Sequence, residues 1–245
     1  MLTKLNKKSF CITLLLLSSI ALAGCGDNGD NSNGNASSST VSTSTAAAPS
    51  NVQNKDSKTL IAYFSYVDNT DADNIKSDQY DVMSSASLLI RNNQRIGVNR
   101  VMAEEMGKIT GGDVFSIQTA NKYPANYDET TKLGKDERDK NIKPELKDSL
   151  ADTSQYENVI LVIPVWWYDV PMAFETFLTK TNLAGKKIYV TGSSGGSTLN
   201  SSFDTVKRLV PNAASVEKGV FLVKSDTKNP EPKVDEWLKS VGLAK

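Results

Sequence analysis

The stretch Val159–Pro171, which reads VILVIPVWWYDVP, constrains this chain more than any other. Its five β-branched or leucyl residues, Val159 to Ile163, suit a parallel strand buried on both faces. The run stops at Pro164 and gives way to Trp166, Trp167 and Tyr168, after which Asp169 and Pro171 open a helix. These three aromatics sit where a strand ends and a loop begins, so they cannot all be core. In an open α/β sheet that loop lies at the carboxyl edge of the strands, where ligands bind. Two indoles and a phenol there form a wall for a flat aromatic ligand, with at least one tryptophan expected to pack back on the sheet.

The rest of the chain repeats the alternation. Thr59–Phe64 is a second buried-strand run, Asp113–Gln118 a shorter and less apolar one, and Lys187–Thr191 and Gly219–Val223 complete five. Between them, Gly97–Ile109, Val170–Lys180, Phe203–Val210 and Pro232–Val241 carry apolar residues at helical spacing. Gly111-Gly112 ends the first of these helices. Tyr127–Lys140 is polar and charged, a solvated helix at best. Strands alternating with helices predict a doubly wound parallel sheet. The order 2-1-3-4-5 fits best, because strands one and three are the most apolar and strand two reads as an edge. The loops after strands one, three and four then converge on one crevice.

Two segments fall outside that alternation. Tyr66–Ile96 is unusually long for a strand-to-helix connection and rich in Asp, Asn and Ser. Its first part, to Ser84, is expected to be less protected than the sheet. Ser87–Ile96 reads as a hairpin turning at Asn92-Asn93. At the other end, Met1–Gly24 has a basic start (Lys4, Lys7, Lys8), an apolar centre and a close of small residues, the pattern of a secretory signal. Leu22-Ala23-Gly24-Cys25 resembles the lipobox of bacterial lipoproteins, which implies cleavage before Cys25, acylation of that cysteine and a membrane-anchored, extracytoplasmic protein. Residues 25–57 are then the lipidated cysteine and a flexible tether rich in Asn, Ser, Thr and Gly, and 58–245 is the folded domain.

Composition narrows the chemistry. Taking the three lysines of the leader off the 28 basic residues leaves 25 against 28 acidic ones, which argues against nucleic acid as a partner. There is no histidine, and beyond the leader Cys25 is the only thiol. That leaves no imidazole base, no histidine metal ligand and no disulfide. Gly192-Ser193-Ser194-Gly195-Gly196 satisfies G-x-S-x-G between a strand and a helix. An elbow serine needs a base to take its proton, however, and no histidine is present to serve. The glycines and serines read instead as a tight loop that lets a ligand approach the backbone. A flavin mononucleotide site is the other candidate. Ser65 and the backbone of Gly97-Val98-Asn99 at a helix start would meet a phosphate, and the aromatics would meet the ring.

The order of short motifs carries a family resemblance. Tyr63-Phe64-Ser65, Tyr123-Pro124-Ala125-Asn126-Tyr127-Asp128, Lys143-Pro144-Glu145-Leu146-Lys147, Pro164-Val165-Trp166-Trp167 and Gly195-Gly196-Ser197 resemble the bacterial flavodoxin-like proteins, in particular the branch with a long insertion after the first strand. The resemblance covers about Thr59 to Leu243. It implies a bound FMN and electron transfer with a redox partner or reduction of a small acceptor. The contacts it implies are Ser65, Tyr66, Gly97, Val98, Asn99 and Arg100 toward the phosphate. Pro164, Val165, Trp166, Trp167 and Tyr168 would lie on one side of the ring, and Ser194, Gly195 and Gly196 on the other. No side chain is assigned as a catalytic acid or base. Three positions depart from the family pattern. Val98-Asn99 replaces Asn-Thr after Gly97, with Arg100 expected to compensate as a charged donor. Ser194 replaces a histidine, and Tyr168 stands where glycine is usual. Asp169 is expected near the ring, where it would disfavour an anionic reduced flavin. The rival reading is a flavin-free binding or scaffold lipoprotein that kept the fold.

Overall fold

Strand β2 (Thr59–Tyr63), β6 (Asn158–Pro164) and β7 (Lys187–Ser194) form the buried centre of the computed structural model. The structure describes residues 44–51, 53–54, 56–74, 87–150 and 152–244. The expected signal, Cys25 and the first part of the tether lie outside the described residues. The short strand β5 (Asp113–Ser116) and the longer β8 (Ser215–Val223) are the two edges. All five strands run parallel in the order β5-β2-β6-β7-β8, the 2-1-3-4-5 order that the sequence predicts.

Because successive side chains of a strand point to opposite faces, β2 and β6 feed two cores. Leu60, Ala62, Leu161 and Ile163 face one side, with Phe174 and Phe177 of α3 (Met172–Lys180) and Val206 of α4 (Asn200–Leu209). Ile61, Tyr63, Ile160 and Val162 face the other. They meet Val98, Met102 and Met106 of α1 (Val98–Thr110) and Val234 and Leu238 of α5 (Glu231–Ser240). The fifth helix, α2 (Tyr127–Asp139), begins at Asn126, whose side chain accepts from the Glu129 amide. That cap satisfies one of the orphan donors at the helix start.

The hairpin is where the sequence places it. β3 (Leu88–Arg91) pairs antiparallel with β4 (Gln94–Gly97), and Asn92 and Asn93 turn at φ 49° and 57°. Two successive left-handed residues match the twist of the flanking strands, and asparagine tolerates that conformation well. β4 then runs directly into α1.

The first part of the insertion differs from expectation. Residues 66–74 are built into the domain, with Val67, Asn69, Thr70 and Ala72 buried. The Asn69 amide donates to the carbonyls of Ser65 and Ile117, and its oxygen accepts from the Thr119 amide. One polar side chain thus bridges the ends of β2 and β5, which compensates its burial. The tether differs as well. The described residues between 44 and 57 lie against the domain: β1 (Ser44–Thr45) adds in parallel to β4, Asn51 exchanges hydrogen bonds with the Ser116 backbone, and the Asn54 amide donates to the Asp113 carboxylate. On the edge strand β5, Asn51 thus satisfies the backbone N–H and C=O of Ser116.

Candidate functional site

At the carboxyl edge of the sheet, β6 ends at Pro164 and the chain turns back on itself. The Trp166 amide donates to the Asp169 carbonyl at 2.8 Å and the Asp169 amide to the Trp166 carbonyl at 3.0 Å. Closing so tight a turn forces Trp167 to φ 50° and Tyr168 to φ 66°. For bulky residues this left-handed conformation costs on the order of 1–3 kcal/mol each. Anchors hold both ends. Trp166 packs edge-on against Phe64 (5.5 Å between ring centres) and Tyr123 (5.2 Å). The Asp169 carboxylate accepts from the Val170 amide, from Thr205 Oγ1 at 2.9 Å and from Arg138 Nη1 at 3.1 Å. Between these anchors Trp167 and Tyr168 project outward, 39% and 74% exposed. The Trp167 indole donates to the Thr131 carbonyl of α2.

The facing wall comes from β7. Gly192 sits at φ 143° in an irregular register, and a Cβ there would meet the Ile163 carbonyl oxygen at 1.8 Å. Only glycine fits, and the irregularity delivers Ser193 and Ser194 to the strand end. Ser194 Oγ donates to the Ser197 carbonyl and accepts from the Gly196 amide, which fixes the 194–197 loop.

These walls enclose a crevice of about 250 Å³, lined by Tyr66, residues 164–168, Ser193, Ser194, Gly195 and Ser197. The volume is just under the range of small-molecule pockets. Of the residues read from sequence, Tyr66, Pro164, Val165, Trp166, Trp167, Tyr168, Ser194 and Gly195 are brought together here. Trp166 is the tryptophan that packs back on the sheet. Sequence reasoning missed Ser87, Tyr127, Thr130 and Thr131, which complete the lining. A signal existed, because Tyr127 lies in the 123–128 motif; the polar pattern of α2 pointed away from it.

The helix-start residues require correction. Val98 is fully buried in the core beneath α1. The Asn99 amide donates to the Phe64 carbonyl while its oxygen accepts from Ser193 Oγ, so it ties β2 to β7 instead of facing a ligand. Arg100 is buried as well. Its guanidinium donates to Glu104 at 2.7 Å and to the Ala46 carbonyl, and lies 3.6 Å from Asp68. A buried guanidinium already paired with two carboxylates is not available as a phosphate donor. Burial pushes the Asp68 carboxyl up, against the Tyr63 hydroxyl that donates to it and the nearby Arg100. Ser65 Oγ is sealed from solvent and has no hydrogen-bond partner among the described residues. It lies under Gly97, where a Cβ would come within 1.9 Å of it. Gly196 does not line the crevice; its amide serves the loop. Asp169 is also corrected: paired with Arg138 and Thr205, its charge is neutralised within the turn.

The crevice therefore has aromatic and apolar groups on one wall and backbone and hydroxyl groups on the other. None of the described residues that line it is a lysine or an arginine.

Among solved structures, a candidate flavoprotein from Bacteroides eggerthii is similar at 22% identity, covering 76% of this chain and 98% of its own, with a TM-score of 0.54. A second, from Bacteroides uniformis, is similar at 20% identity over 75% and 98%, with a TM-score of 0.52. No curated protein matches the sequence. Residues 87–241 match the family model described as flavodoxin.

One buried carboxyl behind the crevice yields a pH dependence. Glu137 of α2 accepts from the Tyr123 hydroxyl at 3.0 Å, and Tyr123 packs on Trp166. Burial pushes this carboxyl from an ordinary 4.5 up to about 6, and the Tyr123 hydrogen bond offsets only part of that. Between those values the native state holds a proton that the unfolded chain has released. Its contribution to stability is thus fully present below about pH 4.5 and lost as pH rises through about 6. Glu137→Gln cannot ionise and keeps an acceptor for Tyr123. Its Tm should gain on wild type as pH rises across that window, and parallel Tm profiles would contradict the assignment.

Proposed function

The chain belongs to the flavodoxin family, and from that premise we propose that it binds FMN in this crevice and acts in electron transfer or in reduction of a small acceptor. The observation that carries the reading is the pairing of walls at the carboxyl edge of β6 and β7. An aromatic turn faces a serine-glycine loop across a slot open to solvent. Trp167 and Tyr168 flank the ring, Pro164 and Val165 form the apolar floor, and Ser194 and Gly195 approach from the far side. Bound flavin supplies the redox chemistry; these residues hold and orient it and restrict water. A flavin-free binding protein is the second reading, and the occupied start of α1 is the observation in its favour.

We place the domain outside the cytoplasm on a lipid anchor at Cys25. The lipobox and the polar residues after it support this. Cys25→Ser should move the protein from the membrane fraction to the soluble fraction. Wild type found wholly soluble would contradict the anchor.

Trp167 tests the site. It is partly exposed, so Trp167→Ala should fold normally by circular dichroism. Loss of an aromatic contact worth about 0.5–1.5 kcal/mol beyond the area it buries should weaken FMN by about ten-fold, read by quenching of flavin fluorescence. Unchanged affinity would remove Trp167 from the site. A wild-type chain that leaves FMN fluorescence unchanged would remove the flavin reading altogether.

A further inference from the structure

We infer that this crevice recognises the flavin ring and its hydroxylated chain but does not read the terminal phosphate, so that riboflavin binds as well as FMN. The inference rests on the flavin reading above and specifies its ligand.

A phosphate monoester carries a charge of about −1.5 to −2 near neutral pH and gains affinity from charge-assisted donors and helix-start amides. The described residues that line the crevice include no lysine or arginine. Two cations close to the crevice are engaged elsewhere. Arg138 is held by Asp169, and Lys135, 5.7 Å from the centre of the Trp167 ring, pairs with Asp139 at 2.5 Å. Arg100, the only cation in the first turn of α1, is buried between Asp68 and Glu104. At the helix start the Val98 amide is already taken, donating to the Ser87 carbonyl at 3.1 Å. That carbonyl meets the need for an acceptor which an anion would otherwise meet. Ser65, whose buried hydroxyl has no hydrogen-bond partner among the described residues, is sealed beneath Gly97 and out of a ligand's reach.

What the crevice does offer is neutral hydroxyl groups. Ser87, Thr131 and Ser197 line it. Uncharged donors of this kind match the ring carbonyls and the ribityl hydroxyls, which riboflavin and FMN share. A phosphate on such a ligand extends into solvent and adds little.

The test is a fluorescence-quenching titration of the full chain with FMN and with riboflavin, repeated for FMN in the presence of inorganic phosphate. Dissociation constants that differ by less than about ten-fold, with no competition by phosphate, support the inference; one charge-assisted hydrogen bond alone would give a ratio of that size or more. FMN binding tighter by ten-fold or more, or displacement by phosphate, overturns it while leaving the flavin site intact. Binding of neither flavin overturns the flavin reading and this inference together.

Discussion

The carboxyl edge of the sheet depends on one tight turn, in which Trp166 and Asp169 exchange backbone hydrogen bonds and force Trp167 and Tyr168 into left-handed conformations. Those two residues are strained, and nothing local offsets the cost. The compensation comes from the flanks. Trp166 is set in a buried cluster with Phe64 and Tyr123, and Asp169 is gripped by Arg138 from α2 and Thr205 from α4. Three elements distant in sequence thus hold one loop in a shape it would not adopt alone. The result is an exposed aromatic surface facing the serine-glycine loop of β7. Asp169, which sequence reasoning set beside the ring as a charge, is one of the clamps.

A second constraint acts at the other end of the crevice. In this chain β4 runs straight into α1, and Ser87 caps the helix from within the fold. The described parts of the insertion, residues 66–74 and 87–96, are therefore structural. The hairpin delivers Gly97 to the helix start over Ser65, and the first residues lock β2 to β5 through Asn69. Arg100 belongs to the same construction. By reaching the Ala46 carbonyl it fastens the segment that precedes the domain, with Asp68 and Glu104 balancing its charge. These interactions stabilise the region around the helix start and leave the Val98 amide and the Arg100 guanidinium already committed.

The architecture was legible because it follows from local pattern. The apolar run Val159–Ile163 is short, rich in β-branched residues and bounded by a proline, which marks a strand, Asn92-Asn93 turns a hairpin by its own backbone preferences, and Trp166–Tyr168 could lie only at a strand end. The misreadings concern residues whose roles are set by partners far along the chain. Arg100 pairs with Asp68 and Ala46, and Asn99 with Phe64 and Ser193; no spacing rule connects these positions. In α2 the inward residues are Thr130, Gly134 and Glu137, which share a face at helical spacing but are not apolar. A hydrophobic pattern is blind to such a face, and Thr130 and Thr131 were missed with it.

The strained turn and the aromatic wall it presents can be separated by Tyr168→Gly, with stability and FMN affinity measured on the same preparation. Glycine accepts the left-handed conformation without steric penalty, and a side chain 74% exposed gives up little burial. If the turn is strained in order to present the aromatic wall, the variant is more stable by about 1 kcal/mol and binds FMN more weakly than wild type. A variant that is less stable, or that binds FMN as tightly as wild type, would contradict it.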